Sequence, residues 1–437
     1  MKLKEAYERQ MKSLLGSAGF FAYVTALDQP YERGLRMNTR LVGMNMPCSA
    51  IPFCEEPILW ARDAYFVRKG TRPGLSPLHE AGLFYLQEPS AMVPVSVLDP
   101  KPGERILDLC AAPGGKSTQI ADLMEGRGVL VANEFVPARA EILSRNIERM
   151  GVPNAVVISA DTVTLSAHFP DYFDRVLVDA PCSGEGLFRR QPEAIEEWNE
   201  NTPAYCAARQ SRILTEAAKM LRPGGVLVYS TCTFNRIENE EVVEAFLLLH
   251  PEYTLEAFAL PGLPAAPTGM LHLYPHEIRG EGHFIARLRR IGDWHPEDRP
   301  HVLWKLSEDP LPEVFSGSIP PGIRREGDRL FIPPLEPEDA RLRGLRVFRR
   351  GLAIGTIRGK RAEPDHALAM AMRKKEAARS FELTEEQACL FQAGEILTLG
   401  DLPSGYTLLC LAGKSLGWGK QANGIMKNHY PKGLRRR

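Results

Sequence analysis

Through the middle of the chain, short apolar runs alternate with stretches of helical spacing. Arg105-Ile106-Leu107-Asp108-Leu109 is one such run, followed by a loop of small residues and helical spacing through Ile120 to Met124. Val129-Leu130-Val131-Ala132 is a second run. Pro137 then opens a stretch to Met150 with apolar positions three and four apart, and proline suits a first helical turn because its missing N–H has no partner there anyway. Residues 155–159, 175–179 and 226–230 read as further strands, and 282–288 as a late one. Residues 209–221 and 237–250 read as helices, the first closed by Pro223-Gly224-Gly225. Strands joined by helices of this length pair as βαβ units, giving a mostly parallel sheet covered on both faces. The pattern predicts an α/β, doubly wound, Rossmann-like core, which binds ligands at the carboxyl ends of its strands.

The flanks follow other patterns. Lys2 to Leu15 has helical spacing at Leu3, Ala6, Tyr7, Met11 and Leu14, and residues 34–66 hold short apolar runs broken by Pro47, Pro52 and Pro57. From about residue 293, Pro310, Pro312, Pro320, Pro321, Pro333 and Pro334 punctuate short segments. The expected organisation is an extension over 1–75, a catalytic domain over 76–292 and a small separate region over 293–437. A chain of 437 residues can bury a core without disulfides or metals. No apolar run reaches the ~18 residues of a membrane-spanning helix. The charges of Met1-Lys2-Leu3-Lys4-Glu5 leave no room for a signal peptide's apolar region, so a cytoplasmic location without membrane contact is expected. Eight cysteines are spread along the chain with no C-x-x-C, so reduced thiols and no metal site are expected.

The sharpest chemical signal is Asp108-Leu109-Cys110-Ala111-Ala112-Pro113-Gly114-Gly115-Lys116-Ser117, between a strand and a helix. Small residues there let backbone N–H groups approach a ligand. The spacing is neither that of a Walker loop nor G-x-G-x-x-G. Glu134, Asp161 and Asp179 end the next three strands. One acid at a strand end is commonly a helix cap. Three beside a small-residue loop fit one crevice lined for a nucleoside-bearing cofactor.

Two cysteines share that edge: Cys182 in Asp179-Ala180-Pro181-Cys182-Ser183-Gly184, and Cys232 in Ser230-Thr231-Cys232-Thr233. A lone cysteine is usually a small buried hydrophobe, and Cys48, Cys54, Cys206, Cys389 and Cys410 carry no argument beyond that. A pair at the ligand-binding edge fits pyrimidine chemistry. A thiolate adding to carbon 6 turns carbon 5 into a nucleophile able to attack an electrophilic methyl, which splits one hard step into two. An acid such as Asp179 would favour addition by protonating or hydrogen-bonding ring nitrogen 3. The residues alone leave open which cysteine attacks, since Pro181-Cys182 also fits the Pro-Cys nucleophile of DNA cytosine-5 methyltransferases.

These segments resemble the Nol/Nop/Sun family of RNA cytosine-5 methyltransferases. The likeness rests on Leu86-Gln87-Glu88-Pro89-Ser90-Ala91-Met92, the 108–117 loop, Asn133-Glu134, Ala160-Asp161, the stretch Val178 to Gly186, and Ser230-Thr231-Cys232-Thr233, in the family's order over roughly residues 30–290. The resemblance implies S-adenosylmethionine as methyl donor. It implies Cys232 as nucleophile, Cys182 as the cysteine aiding product release, and catalytic places for Asp179 and Lys116. Cys110, Ala111, Ala112, Pro113, Gly114, Gly115 and Lys116, with Glu134, Asp161 and Asp179, match the cofactor-binding positions. The chain departs in having Leu187 before Phe188 where the family commonly has Met, and in being short between about 290 and 400.

Charge sharpens the partner. The formal net charge is zero, yet residues 1–75 carry +4, residues 76–340 carry −15 and residues 341–437 carry +11. Residues 402–437 hold seven Lys and Arg and no acid, mixed with Trp418, Tyr430 and glycines, a composition that suits phosphates and stacked bases and equally a folded hairpin with Trp418 in a small core. This ending resembles the PUA-like RNA-binding region of the bacterial family members that modify 16S ribosomal RNA. The resemblance implies 16S rRNA or the small subunit as partner, with the N-terminal extension also touching RNA. Arg36, Arg40, Arg189 and Arg190 are further phosphate candidates. Deleting 341–437 is expected to weaken RNA binding more than cofactor binding. A monomeric enzyme is expected. A tRNA methyltransferase of the same family and an idle ribosome-assembly factor are the alternatives.

Overall fold

The computed structural model describes residues 1–42, 51–293, 313–317, 322–335 and 339–435. Cys48, Pro47, Pro310, Pro312, Pro320 and Pro321 lie outside them.

The central sheet is built as the alternation demands. Its order is Tyr253–Leu255, His283–Arg290, Leu221–Thr231, Phe173–Asp179, Arg105–Asp108, Val129–Asn133, Ala155–Ser159 and Arg346–Arg350, with Met270–Leu273 pairing on His283–Arg290. The five inner strands from Leu221–Thr231 to Ala155–Ser159 are parallel. Ile106, Leu107, Leu130, Val131, Val176 and Leu177 are fully buried, as runs covered on both faces require. The chain reverses direction across the sheet at the Arg105–Asp108 strand, with Phe173–Asp179 on one side and Val129–Asn133 on the other. That switch opens a crevice at the carboxyl ends, where Asp108 and Asp179 stand.

The N-terminal helix runs Glu5–Leu27, well past the expected Leu15, with non-helical backbone at Gly16. The stretch after Leu15 is apolar too, and it continues the buried face through Tyr23 and Leu27. Tyr7, Met11, Tyr23 and Leu27 pack with Phe188, Trp198 and Phe234 beneath the loops that follow the two cysteines. The next strands form a sheet ordered Cys54–Pro57, Ala64–Val67, Gly34–Met37 and Phe84–Gln87.

The C-terminal region is less separate than its prolines suggest. Arg346–Arg350 adds an antiparallel edge strand to Ala155–Ser159, so part of 293–437 belongs physically to the central sheet. The rest forms two four-stranded sheets. One is ordered Arg324–Glu326, Arg329–Ile332, Leu352–Arg358, Arg361–Pro364; the other Ser380–Glu382, Gly405–Leu411, Lys414–Ala422, Ile425–Asn428. Leu409, Leu416, Phe391 and Tyr430 share one core with Leu35, Met37 and Phe84 of the N-terminal sheet. Both flanking regions therefore fold against each other as well as against the catalytic body.

Of the two readings of the C-terminal aromatics, that packing bears out the small core and leaves Trp418 and Tyr430 no face for a stacked base. Trp418 is 2% exposed, with its ring N–H on the Asp365 carbonyl at 2.9 Å, and Tyr430 is 3% exposed. Lys414 is buried as well. The hairpin is covered on both faces, Trp418 packing with Leu408 and Cys410 and Leu416 with Leu409, so that Lys420 against Tyr406 and the exposed Lys427 are left as outward cations.

Candidate active site

The strand ends converge on one cleft of about 850 Å³, lined among others by Cys110, Glu134, Asp161, Asp179, Cys182 and Cys232. Of the residues expected at the site, Cys110, Ala112, Glu134, Asp161, Asp179, Cys182 and Cys232 line this cavity, whereas Ala111, Pro113, Gly114 and Gly115 do not. Lys116 joins it through Asp179.

Asp108 is fully buried, and its carboxyl receives the Ser117 hydroxyl at 2.6 Å. Burial, against that hydrogen bond, pushes its carboxyl up to about 7, and its second oxygen has no partner among the described residues. The loop then turns at Gly114, with φ +113°, where a side chain would be strained and would press on Leu143. Asn146 and Arg139 hold the Pro113 and Ala112 carbonyls from the helix Pro137–Arg149. Cys110 is a thiol pushed up by burial and by the neighbouring acids, so it serves as a small polar lining residue. Glu134 is 5% exposed, beside the exposed Phe135. Among the described residues its carboxylate accepts only the Val136 N–H at 3.0 Å, and it faces Arg139 at 3.6 Å. Asp161 caps the helix Thr162–His168 through Thr164, and those hydrogen bonds hold its carboxyl below the usual range. It caps and lines the cleft at once.

These donors suit S-adenosylmethionine. The lining carboxylates Glu134 and Asp161 suit a cationic group, the orphaned oxygen of Asp108 and Glu134 offer acceptors, and small residues leave backbone within reach.

Deeper in the cleft, Lys116 from the helix Gly115–Leu123 meets Asp179 at 2.7 Å. The Ser230 hydroxyl reaches the other carboxylate oxygen at 2.7 Å, and His283 stands 3.7 Å away. Burial works against the charge of Asp179, but Lys116 and His283 outweigh it and hold the carboxyl well below its usual value. Burial likewise works against the Lys116 charge, and Asp179, with a smaller part from Cys232, raises it above the ordinary lysine value. The two thus form a part-buried ion pair in which Lys116 donates and the Asp179 carboxylate accepts.

The two sulfurs lie 3.3 Å apart. Contact with Cys232, reinforced by burial, raises the Cys182 thiol well above its usual value and keeps it protonated. The loops carrying them are tied by two buried acids. Glu185 accepts the backbone N–H groups of Phe234 and Asn235 at 2.7 and 3.1 Å, and Glu238 accepts Ser183 N–H, Gln210 and Asn235 at 2.7–2.9 Å. Sequence reasoning missed His283, Ser230, Glu185 and Glu238. For the two glutamates a signal existed, since charged residues in otherwise ligand-facing loops need partners when buried. The placing of His283 depended on the antiparallel pairing of its strand, which no spacing reveals.

Of the phosphate candidates, three are structural. Arg36 is 2% exposed and donates to Gln87, Thr118 and the Gly115 carbonyl at 2.8–2.9 Å. Arg40 binds the Gly151 carbonyl, and Arg189 pairs with the buried Glu281 at 2.6 Å. Arg190 lies over the ring of Tyr31.

Four family models match the chain in order. They are the N-terminal domain of 16S rRNA methyltransferase RsmF over 3–89, 16S rRNA methyltransferase RsmB/F over 95–289, the RsmF first C-terminal domain over 312–372, and the RsmF PUA domain over 378–436. Ribosomal RNA small subunit methyltransferase F of Erwinia tasmaniensis is 33% identical across 98% of this chain and 96% of its own. The protein of the same name from Klebsiella pneumoniae is 32% identical across the same shares. Among solved structures, a methyltransferase homolog from Pyrococcus horikoshii superposes with a TM-score of 0.56 at 29% identity, covering 66% of this chain and 95% of that one. NSun6 from the same organism, solved with SFG, gives 0.56 at 25% identity, covering 66% and 99%.

Proposed function

Since the chain belongs to the ribosomal RNA small subunit methyltransferase F family, we propose that it methylates carbon 5 of a cytosine in 16S rRNA through a covalent Cys232–RNA intermediate, with S-adenosylmethionine as donor. The observation that carries this reading is the meeting of two thiols 3.3 Å apart beside the Lys116–Asp179 pair, in the same cleft as the acids Glu134 and Asp161. The names of the relatives support 16S rRNA, and SFG, an S-adenosylmethionine analogue, in the NSun6 structure supports the donor.

Residues 108–116 with Glu134 and Asp161 would hold S-adenosylmethionine, which supplies the electrophilic methyl. The target base must be unpaired or flipped to enter the cleft. There Lys116 offers it a donor and Asp179 an acceptor, and the same pair fixes the ring as addition begins. The Cys232 sulfur, as the thiolate, bonds to carbon 6, and the electron pair of the 5,6 double bond moves to carbon 5. After carbon 5 gains its methyl, its proton passes to water, the freed electron pair restores the 5,6 double bond, and the Cys232 sulfur leaves carbon 6. Cys182, kept as a thiol in contact with Cys232, is placed to protonate that departing sulfur. This assigns release to Cys182 and attack to Cys232. We further assign residues 1–75 and 293–437 to RNA contact and 76–292 to catalysis.

Isolated small subunits, naked 16S rRNA and tRNA, each incubated with the enzyme and labelled donor and mapped by bisulfite, test the assignment. A single new 5-methylcytosine in 16S rRNA is expected. Methylation confined to tRNA overturns the substrate, and no label in any RNA overturns the activity.

A further inference from the structure

The helix Thr202–Met220 buries Ile213, Leu214, Ala217 and Ala218 in the core of the central sheet. Its other side carries Tyr205, Arg209 and Arg212 at i, i+4 and i+7, so the three stand in one stripe. All three are exposed, Tyr205 at 77%. Arg209 and Arg212 line the mouth of the cleft that holds Cys182 and Cys232.

Two features set this stripe apart. Among the described residues neither arginine is held in an ion pair, although the surrounding segment 76–340 carries −15. The next residue of the stripe, Glu216, is already occupied by Ser166 and Lys219. The helix is also pinned to the chemistry. Gln210, fully buried, donates to the Pro181 carbonyl at 3.1 Å and to Glu238 at 2.8 Å, which fixes the stripe against the Cys182 loop. Two unengaged guanidinium groups and an uncovered phenol ring, rigidly placed at the lip of a cleft for a flipped base, are the elements that bind single-stranded nucleic acid. Arginine forks take phosphates, and a tyrosine face takes a base.

We propose that Tyr205, Arg209 and Arg212 form the docking strip for the RNA strand flanking the target cytosine, with the arginines on its phosphates and Tyr205 under an adjacent base. This rests on the RNA methyltransferase reading above and adds where the strand leaves the cleft. It also supplies cationic contact within the acidic catalytic body, independent of the basic C-terminal region.

The test uses the full chain and an unpaired cytosine-containing RNA oligonucleotide, with binding followed by fluorescence anisotropy over a range of salt. Arg209→Glu/Arg212→Glu should weaken RNA binding at least tenfold. Its salt slope should fall by roughly 1.4, from ~0.7 per phosphate on a single strand. Tyr205→Ala should weaken binding about tenfold with the slope unchanged, and Tyr205→Phe should restore it, because stacking needs the ring and not the hydroxyl. S-adenosylmethionine affinity by calorimetry should be unchanged in every variant, which also reports an intact fold. RNA binding equal to wild type in the double variant overturns the strip. Loss of cofactor affinity in place of RNA affinity overturns it too, and gives the arginines to the cofactor's carboxylate. Wild-type protein that binds this RNA through the strip but methylates no RNA would overturn the enzymatic reading alone.

Discussion

Replacing Glu185 by glutamine changes one atom in a fully buried group, and the consequence can be worked from its partners. One carboxylate oxygen accepts from Gln10, Trp198 and the Asn235 amide at 2.9–3.3 Å. The other accepts the Phe234 and Asn235 backbone N–H groups at 2.7 and 3.1 Å. All five partners are donors. A glutamine must turn its NH₂ toward either the pair or the trio, so at least two buried donors lose their acceptor and face another donor. At about 1–3 kcal/mol for each buried group left unsatisfied, the cost is roughly 2–6 kcal/mol. At roughly 2–4 °C per kcal/mol for a large domain, the midpoint should fall by about 5–20 °C in scanning calorimetry. The functional damage should be local. Glu185 ties the loop after Cys182 to the loop after Cys232, so the variant should lose covalent capture of RNA more than cofactor binding at a temperature where it is folded. A midpoint within about 1 °C of wild type, with capture intact, would refute the claim that this acid spaces the thiol loops.

Three further outcomes follow from the site. In Lys116→Met, Asp179 loses the ammonium at 2.7 Å, burial then dominates, and its carboxyl moves up. In wild type the depressed carboxyl contributes stability fully above the ordinary Asp value of ~3.9 and loses it only below that. The acid limb of midpoint against pH should therefore move to higher pH in the variant, and methyl transfer should drop by about 100-fold or more; an unmoved limb refutes the pairing. Sulfurs in contact at 3.3 Å should cross-link with diamide, abolishing activity reversibly with dithiothreitol, whereas Cys182→Ala should still capture RNA covalently after diamide; wild-type activity that survives diamide argues against the contact. Lys420→Glu/Lys427→Glu should weaken RNA binding and lower its salt slope by about 1–2 with cofactor affinity unchanged; equal loss of both, or of neither, denies the C-terminal region its RNA role. These charge reversals are a cleaner test than deleting 341–437, which would strip the Arg346–Arg350 strand and uncover the N-terminal core that Phe391 and Leu409 close.

The core was legible because its signals are local. Val129–Asn133 and Ala155–Ser159 are apolar on every residue but the ends, which only a strand covered on both faces tolerates, and the acids mark where each strand meets solvent. The cysteine pair was legible because both thiols follow neighbouring strands. What escaped was set by long-range packing. Arg36 looks like a surface cation in sequence, but the pairing of Gly34–Met37 with Phe84–Gln87 turns it onto Gln87 and the cofactor-loop helix. Trp418 suits a stacking platform or a small core in sequence, and the cover on both faces of its hairpin decides for the core. The strip at Tyr205, Arg209 and Arg212 emerged only when the fold showed which face of its helix the sheet covers.

The central claim is that Cys232 is the atom joined to RNA. The direct measurement is peptide mass spectrometry of the adduct trapped on RNA carrying 5-fluorocytosine, where the missing C5 proton blocks release. The account predicts the modified nucleotide on the peptide containing Cys232, no adduct from Cys232→Ala, and an accumulated adduct from Cys182→Ala even on unmodified RNA. A nucleotide found on Cys182, with trapping preserved in Cys232→Ala, would contradict it.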